Sequence, residues 1–275
     1  MAGSAMMTSL PSTYDIVDLP PEPDSIVLHP CSMSPIREQY ETIDGGGILY
    51  DAGLIGKAQA QWFSRAYWAQ RDALTEVAGG RGAVCFLQTS SGRWVWRHYR
   101  RGGLIAKIIS DRYLWTGERR TRSFAEWCLL AELRRRDLPV PAPIAARYVR
   151  SGLLYQADLI TQELPDSRTL AQAMADAVSD DQWQAVGRTI ARFHEHGVHH
   201  ADLNVNNILL GADDIVYVLD FDRGRIRPRG PWEADVLARL KRSLEKISSQ
   251  RGVAFDERNW KALLEGYGER EGDRR

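Results

Sequence analysis

The sequence predicts an α+β chain in two lobes: a small antiparallel-sheet lobe carrying one helix, followed by a mostly helical lobe. Three observations lead there. Residues 74–99 alternate like a hairpin around the glycine-rich run Gly79-Gly80-Arg81-Gly82, a second apolar strand follows at Tyr155 to Leu164, and the strongest 3.6-residue periodicities all come later. At 275 residues and 44% hydrophobic content the chain can bury a large core.

Residues 1–30, with Ser4, Ser9, Pro11, Pro20, Pro21 and Pro23 and little periodicity, read as a flexible extension. Residues 31–163 are expected to form the sheet lobe and residues 164–275 the helical lobe. In the first, Ala83 to Gln88 and Arg93 to Tyr99 are the hairpin strands. Phe124, Trp127, Leu130 and Leu133 mark a helix over Ser123 to Arg136, which stops before the Pro139-Val140-Pro141-Ala142-Pro143 connector. In the second, Ser179-Asp180-Asp181-Gln182 opens a helix through a capping box, with Trp183, Val186, Ile190 and Phe193 as its apolar stripe and an end near Gly197. Ile215 to Leu219 is a short apolar strand, and Val236, Leu237, Leu240, Leu244 and Ile247 define a late amphipathic helix.

Composition narrows the partners. Thirty-six basic and 36 acidic residues cancel, so there is no global positive field to hold nucleic acid or an anionic membrane. Cys31, Cys85 and Cys128 are far apart and fit neither a zinc pattern nor a disulfide framework, which suits a reducing compartment. No signal peptide and no spanning helix are expected.

The chemistry concentrates in His200-Ala201-Asp202-Leu203-Asn204-Val205-Asn206-Asn207, followed across the strand at Ile215 by Asp220-Phe221-Asp222. The order H-x-D-x-x-x-x-N, strand, D-F places a base, an amide and a carboxylate close together, as phosphoryl transfer requires. That reaction needs positioning and charge neutralisation more than covalent work. Asp202 is the candidate base for the attacking hydroxyl, Asn207 and Asp220 are hard oxygen ligands suited to Mg²⁺, and His200 positions the loop. Ordinary turn chemistry is the competing reading of Asp202 and Asn207. His194, His196, His199 and His200 raise a zinc alternative, although their spacing matches no zinc motif and His194 and His196 sit where imidazolium would offset a helix dipole.

On these residues the chain resembles protein-kinase-like folds. Further strings, Arg97-His98-Tyr99-Arg100-Arg101-Gly102-Gly103-Leu104, Asp111-Arg112-Tyr113-Leu114-Trp115-Thr116-Gly117 and Leu138-Pro139-Val140-Pro141, resemble the bacterial 3-deoxy-D-manno-octulosonic acid (Kdo) kinases over roughly residues 40–250. The resemblance implies a bilobal protein-kinase-like fold, ATP as donor, and the 4-hydroxyl of a Kdo sugar on a lipid A precursor as acceptor. It implies work at the cytoplasmic face of the inner membrane by peripheral association, without an obligate protein partner.

Carried over by position, Gly80 and Gly82 belong to the phosphate-covering turn, though a plain hairpin explains the same glycines. Arg97 stands where such kinases hold a phosphate-binding lysine, with Lys107 as the fallback cation. Glu126 becomes the helix partner of that cation, while Ser123-Phe124-Ala125-Glu126 equally fits a local capping box. Backbone groups near Glu163 would meet the adenine. Asp222 occupies the position of the motif's usual glycine, so a purely structural carboxylate is the alternative there. Arg223, Arg225, Arg227 and Arg229 are expected to orient an anionic glycolipid, against the alternative of a solvated basic face.

Overall fold

A computed structural model describes residues 35–79, 82–100, 111–212 and 215–269. The N-terminal extension and Lys107 therefore lie outside the described residues.

An eight-stranded antiparallel sheet forms the first half of the molecule. Its strands are β1 (Glu38–Ile43), β2 (Gly46–Asp51), β3 (Leu74–Gly79), β4 (Gly82–Thr89), β5 (Gly92–His98), β6 (Tyr113–Leu114), β7 (Pro143–Ser151) and β8 (Leu154–Gln162). They run β1-β2-β7-β8-β5-β4-β3, with the short β6 also paired to β8. The hairpin expected over residues 74–99 is present as β3, β4 and β5, with Gly79 paired to Gly82. Of the phosphate-turn glycines, Gly82 opens β4 and Gly80 lies outside the described residues.

Among the described residues three α-helices, not one, accompany the sheet: α1 (Ala52–Ile55), α2 (Arg65–Ala69) and α3 (Arg122–Arg135). The expectation of a single helix is corrected here. The first two span four and five residues, too short to imprint a periodicity on the sequence. They form a strap over one face of the sheet, where Ile55, Phe63 and Trp68 pack on Trp94, Trp96 and Ile160. The other face receives α3 and joins the core of the helical half through Trp127, Leu130 and Leu133. Strand alternation decides which side chains meet which layer. On β5, Trp94, Trp96 and His98 face the strap side, so Arg97 is turned toward α3.

Beneath the strap lies a buried ionic cluster. Asp158 accepts hydrogen bonds from Trp96 Nε1 at 3.0 Å, His98 Nδ1 at 2.8 Å and Arg147 Nη2 at 2.7 Å. Burial disfavours its charge, but the hydrogen bond from His98 and the Arg147 guanidinium hold its carboxyl below the usual range. With every oxygen engaged, the charge is tolerated inside.

The second half is mostly helical: α4 (Leu170–Ala173), α5 (Asp180–Glu195), α6 (Trp232–Arg251) and α7 (Glu257–Gly268), with β9 (Arg168–Thr169), β10 (Val198–His199), β11 (Ile208–Leu210), β12 (Val216–Val218) and β13 (Arg225–Ile226) between them. The expected capping box is complete, Ser179 and Gln182 each bonding the other's backbone. Trp183, Val186, Ile190 and Phe193 are all buried, as their spacing requires. A glycine in each of α5 and α7 lets them touch: a Cβ on Gly187 would run into the Leu263 carbonyl, and one on Gly266 into that of Gln184. β11 and β12 form the short hairpin, registered Ile208 to Val218, that brings Asp220 beside the loop starting at His200.

Candidate active site

The loop between β10 and β11 is fixed by its own side chains. His200 Nε2 donates to the Leu219 carbonyl at 2.8 Å and its Nδ1 accepts from the Asp202 N–H at 3.2 Å. This arrangement needs a neutral ring with its proton on Nε2. Burial pushes the His200 pKa below its ordinary value despite the favourable bond to Leu219, which keeps that tautomer in place. The Asp202 carbonyl accepts from Asn204 Nδ2 at 2.8 Å and Asn207 Nδ2 at 3.0 Å. The backbone of Asp202 is thus held from both sides while its carboxylate faces outward. The Asn207 amide nitrogen is spent on this bond, which leaves its oxygen as the side chain's acceptor.

Asp220 follows β12 with φ +61°, a left-handed conformation that Asp tolerates better than most residues. The turn brings its carboxylate to the sheet half. Arg97 Nη1 donates to Asp220 Oδ1 at 2.7 Å and Arg97 Nη2 to Glu126 Oε1 at 2.5 Å. One guanidinium therefore bridges β5, α3 and the segment after β12, using the fork that lysine lacks. Glu126 is almost wholly buried, and its two oxygens also accept from Tyr99 O–H and, at 3.1 Å, from the Phe221 N–H. Burial works to lower the Arg97 pKa, and the flanking Glu126 and Asp220 carboxylates overcome it and raise the pKa above its ordinary value. Burial likewise works to raise Asp220, and Arg97 overcomes it, holding that carboxyl below its ordinary value.

The two readings of Glu126 are decided by these contacts. The N-cap of α3 is Thr121, without a side-chain cap bond, and Ser123 Oγ donates to the Arg147 carbonyl on β7. The capping box at Ser123 is not formed, and Glu126 is the partner of Arg97.

Asp222 is clasped by Arg122 at the start of α3, with Nε to Oδ1 at 2.8 Å. Its carboxylate ties the segment after β12 to α3, a structural use that fits the alternative stated for it. Glu163 sits just past β8, its N–H donating to the Arg93 carbonyl and its side chain paired with Arg93, both at 2.9 Å. Its N–H and carboxylate are thus engaged with Arg93. Among the anion candidates, Arg229 is held by Glu233 at 2.9 Å and Arg227 stacks over the Trp232 ring. Two of the four clustered histidines are held by other groups: His194 Nδ1 meets the Tyr267 hydroxyl at 2.8 Å, and His200 is engaged as described.

Tyr99, Arg122, Arg239 and Ser243 complete the surroundings of this site and escaped the sequence. Arg239 Nη1 reaches Asp202 Oδ1 at 3.2 Å, and Ser243 Oγ accepts from the Val205 N–H at 3.2 Å, so α6 is keyed to the loop.

Comparison with known proteins bears on this arrangement. Residues 65–267 match the lipopolysaccharide kinase (Kdo/WaaP) family. The chain belongs to that family. Proteins named 3-deoxy-D-manno-octulosonic acid kinase are similar along most of its length: 43% identity to that of Stenotrophomonas maltophilia (strain R551-3), 42% to that of Xylella fastidiosa (strain M12) and 44% to that of Xanthomonas axonopodis pv. citri (strain 306). Each alignment covers 81% of this chain and 89% of the relative. The molecule is accordingly a kinase, a phosphotransferase of lipopolysaccharide biosynthesis.

The buried histidines give this kinase a measurable acid weakness. Burial lowers the His194 pKa from 6.5 to about 4. As pH falls through 6.5 the unfolded chain takes up this proton first, so the stability contribution is complete above 6.5 and drains away down to the folded value. The expected loss is about 1.4 kcal/mol per pH unit within that window. Urea unfolding at several pH values should show that slope, and His194→Gln should remove about that much of it.

Proposed function

We propose that this chain transfers the γ-phosphoryl group of ATP to the 4-hydroxyl of a Kdo sugar carried on a lipid A precursor. The observation that carries the reading is that His200 ties the loop of Asp202 and Asn207 to Leu219, next to Asp220, whose carboxylate is bound in turn by Arg97 from the sheet half. ATP's phosphates would lie against Arg97 and the turn at Gly80 and Gly82, with its adenine near the backbone after β8 around Glu163. Mg²⁺ fits the donor set: the Asn207 oxygen and the Asp220 carboxylate are hard ligands, few in number, as suits an ion that keeps waters and phosphate oxygens in its shell. When bound it would neutralise charge on the transferred group.

The chain's own residues then do the following. Asp202, its backbone fixed by His200, Asn204 and Asn207, accepts the proton of the attacking sugar hydroxyl as that oxygen bonds to the γ-phosphorus and ADP departs. Arg97 offsets phosphate charge while Glu126 and Tyr99 hold it in place. The sheet half up to residue 163 and the helical half from 164 would form two lobes around the nucleotide. A lipid-linked acceptor places the reaction at the cytoplasmic surface of the inner membrane, and among the described residues no helix is long and apolar enough to cross it. Peripheral contact is the arrangement this supports.

The test is to incubate the purified chain with ATP, Mg²⁺ and Kdo-lipid A precursor and follow the acceptor by mass spectrometry. One added phosphate per acceptor is expected, absent with Asp202→Ala. An acceptor of unchanged mass would refute the substrate.

A further inference from the structure

Beside Asp202 lies a groove of about 510 Å³ whose lining includes none of Arg97, Asn207 and Asp220. Asp202, Asn204 and Asn206 form one wall, and Arg239, Arg242 and Lys246 of α6 line the other. These cations recur at three- and four-residue intervals and so share one helix face. The Val205 to Ser243 bond fixes that face against the loop. A chain with no net charge thus gathers three cations around the candidate base. Among the described residues Arg242 and Lys246 enter no ion pair, although Arg239 does.

The contact of Arg239 is the informative one. Its guanidinium is half exposed and meets Asp202 Oδ1 at 3.2 Å, at the oxygen that must accept a proton. A merely solvated basic face has no need of that contact. A guanidinium left there during turnover would compete for the lone pairs of the base; an incoming anion can draw it away. The proposed acceptor supplies one. Its sugar carries a carboxylate on the same ring as the reacting hydroxyl, so a cation that binds the first must stand beside the base that serves the second.

We propose that Arg239 determines acceptor specificity by exchanging its bond to Asp202 for the carboxylate of the acceptor sugar, while Arg242 and Lys246 extend the groove's attraction to the acceptor's lipid phosphates. This rests on the Kdo reading of the site. Guanidinium suits the carboxylate because its fork can donate twice to it.

Steady-state kinetics of the full chain with Kdo-lipid A precursor test the assignment. Arg239→Gln should raise the acceptor KM about tenfold and leave the KM for ATP unchanged. Converting the acceptor carboxylate to an amide should penalise the unmutated chain by a similar factor and add nothing further to the variant. Removing the lipid phosphates should preserve the Arg239→Gln penalty while abolishing that of the Arg242→Gln/Lys246→Gln variant.

An unchanged acceptor KM in Arg239→Gln, with the unmutated chain fully active, would overturn the groove and leave the Kdo reading standing. So would a penalty that persists on the amide, or one that disappears with the phosphates, the latter making Arg239 a phosphate ligand. No transfer to the Kdo acceptor by the unmutated chain would remove the functional reading and the groove with it.

Discussion

Replacing Asp202 by alanine is expected to lower kcat by roughly 10²- to 10⁴-fold, the usual contribution of a positioned base. The fold should survive, because the loop is organised by bonds that Asp202 makes through its backbone: its N–H to His200 and its carbonyl to Asn204 and Asn207. The side chain is about half exposed and pairs with Arg239, a surface contact worth little to stability. A melting temperature close to that of the unmutated chain, alongside the kinetic loss, is the expected combination. A kcat that does not change would remove Asp202 as the base.

The second large effect is on stability. Glu126→Ala leaves Arg97 and Tyr99 without their shared acceptor, and strands the Phe221 N–H as well. Breaking a buried pair by removing one member costs about 3–5 kcal/mol. A loss of that order is expected in equilibrium unfolding, together with impaired activity, since the same carboxylate holds Arg97, the cation proposed to face the phosphates. Glu126→Gln should cost less, because its amide oxygen can still accept from Arg97 and the Phe221 N–H while its nitrogen donates to the Tyr99 hydroxyl oxygen. A loss below about 1 kcal/mol for the alanine variant would mean that the cluster is wet or loosely formed.

What the sequence made legible was the chemistry that is local in the chain. Asp202 and Asn207 precede, and Asp220 follows, the short hairpin of β11 and β12, so they are close in sequence. The capping box at Ser179 and the stripe from Trp183 to Phe193 were equally readable, because a helix of 16 residues repeats its pattern several times. The strap formed by α1 and α2 was not, for want of length. β1 and β2 were overlooked even though Asp44-Gly45 between them is a strong hairpin signal, and Gly45 takes the expected positive φ of 68°. β7 begins at a proline that ends the connector, and its first residues are buried without alternation, which hides a strand from a period-two search.

The pairings at the site were hardest to see. Arg122 meets Asp222 across 100 residues of chain and Arg239 meets Asp202 across 37. Nothing local in the sequence encodes either. Glu126 shows the same difficulty in milder form: its local pattern fitted a cap, and only the approach of Arg97 from β5 gives it another use.

Arg97 is the point where the two halves of the site join, since its fork takes Glu126 with one nitrogen and Asp220 with the other. The central claim is that this bridge performs the work elsewhere given to a lysine. A double-mutant cycle of Arg97→Met and Glu126→Gln, read as kcat/KM for ATP, tests it most directly. A coupling of about 1–3 kcal/mol is predicted, the double variant being little worse than either single one. Losses that simply add would contradict it.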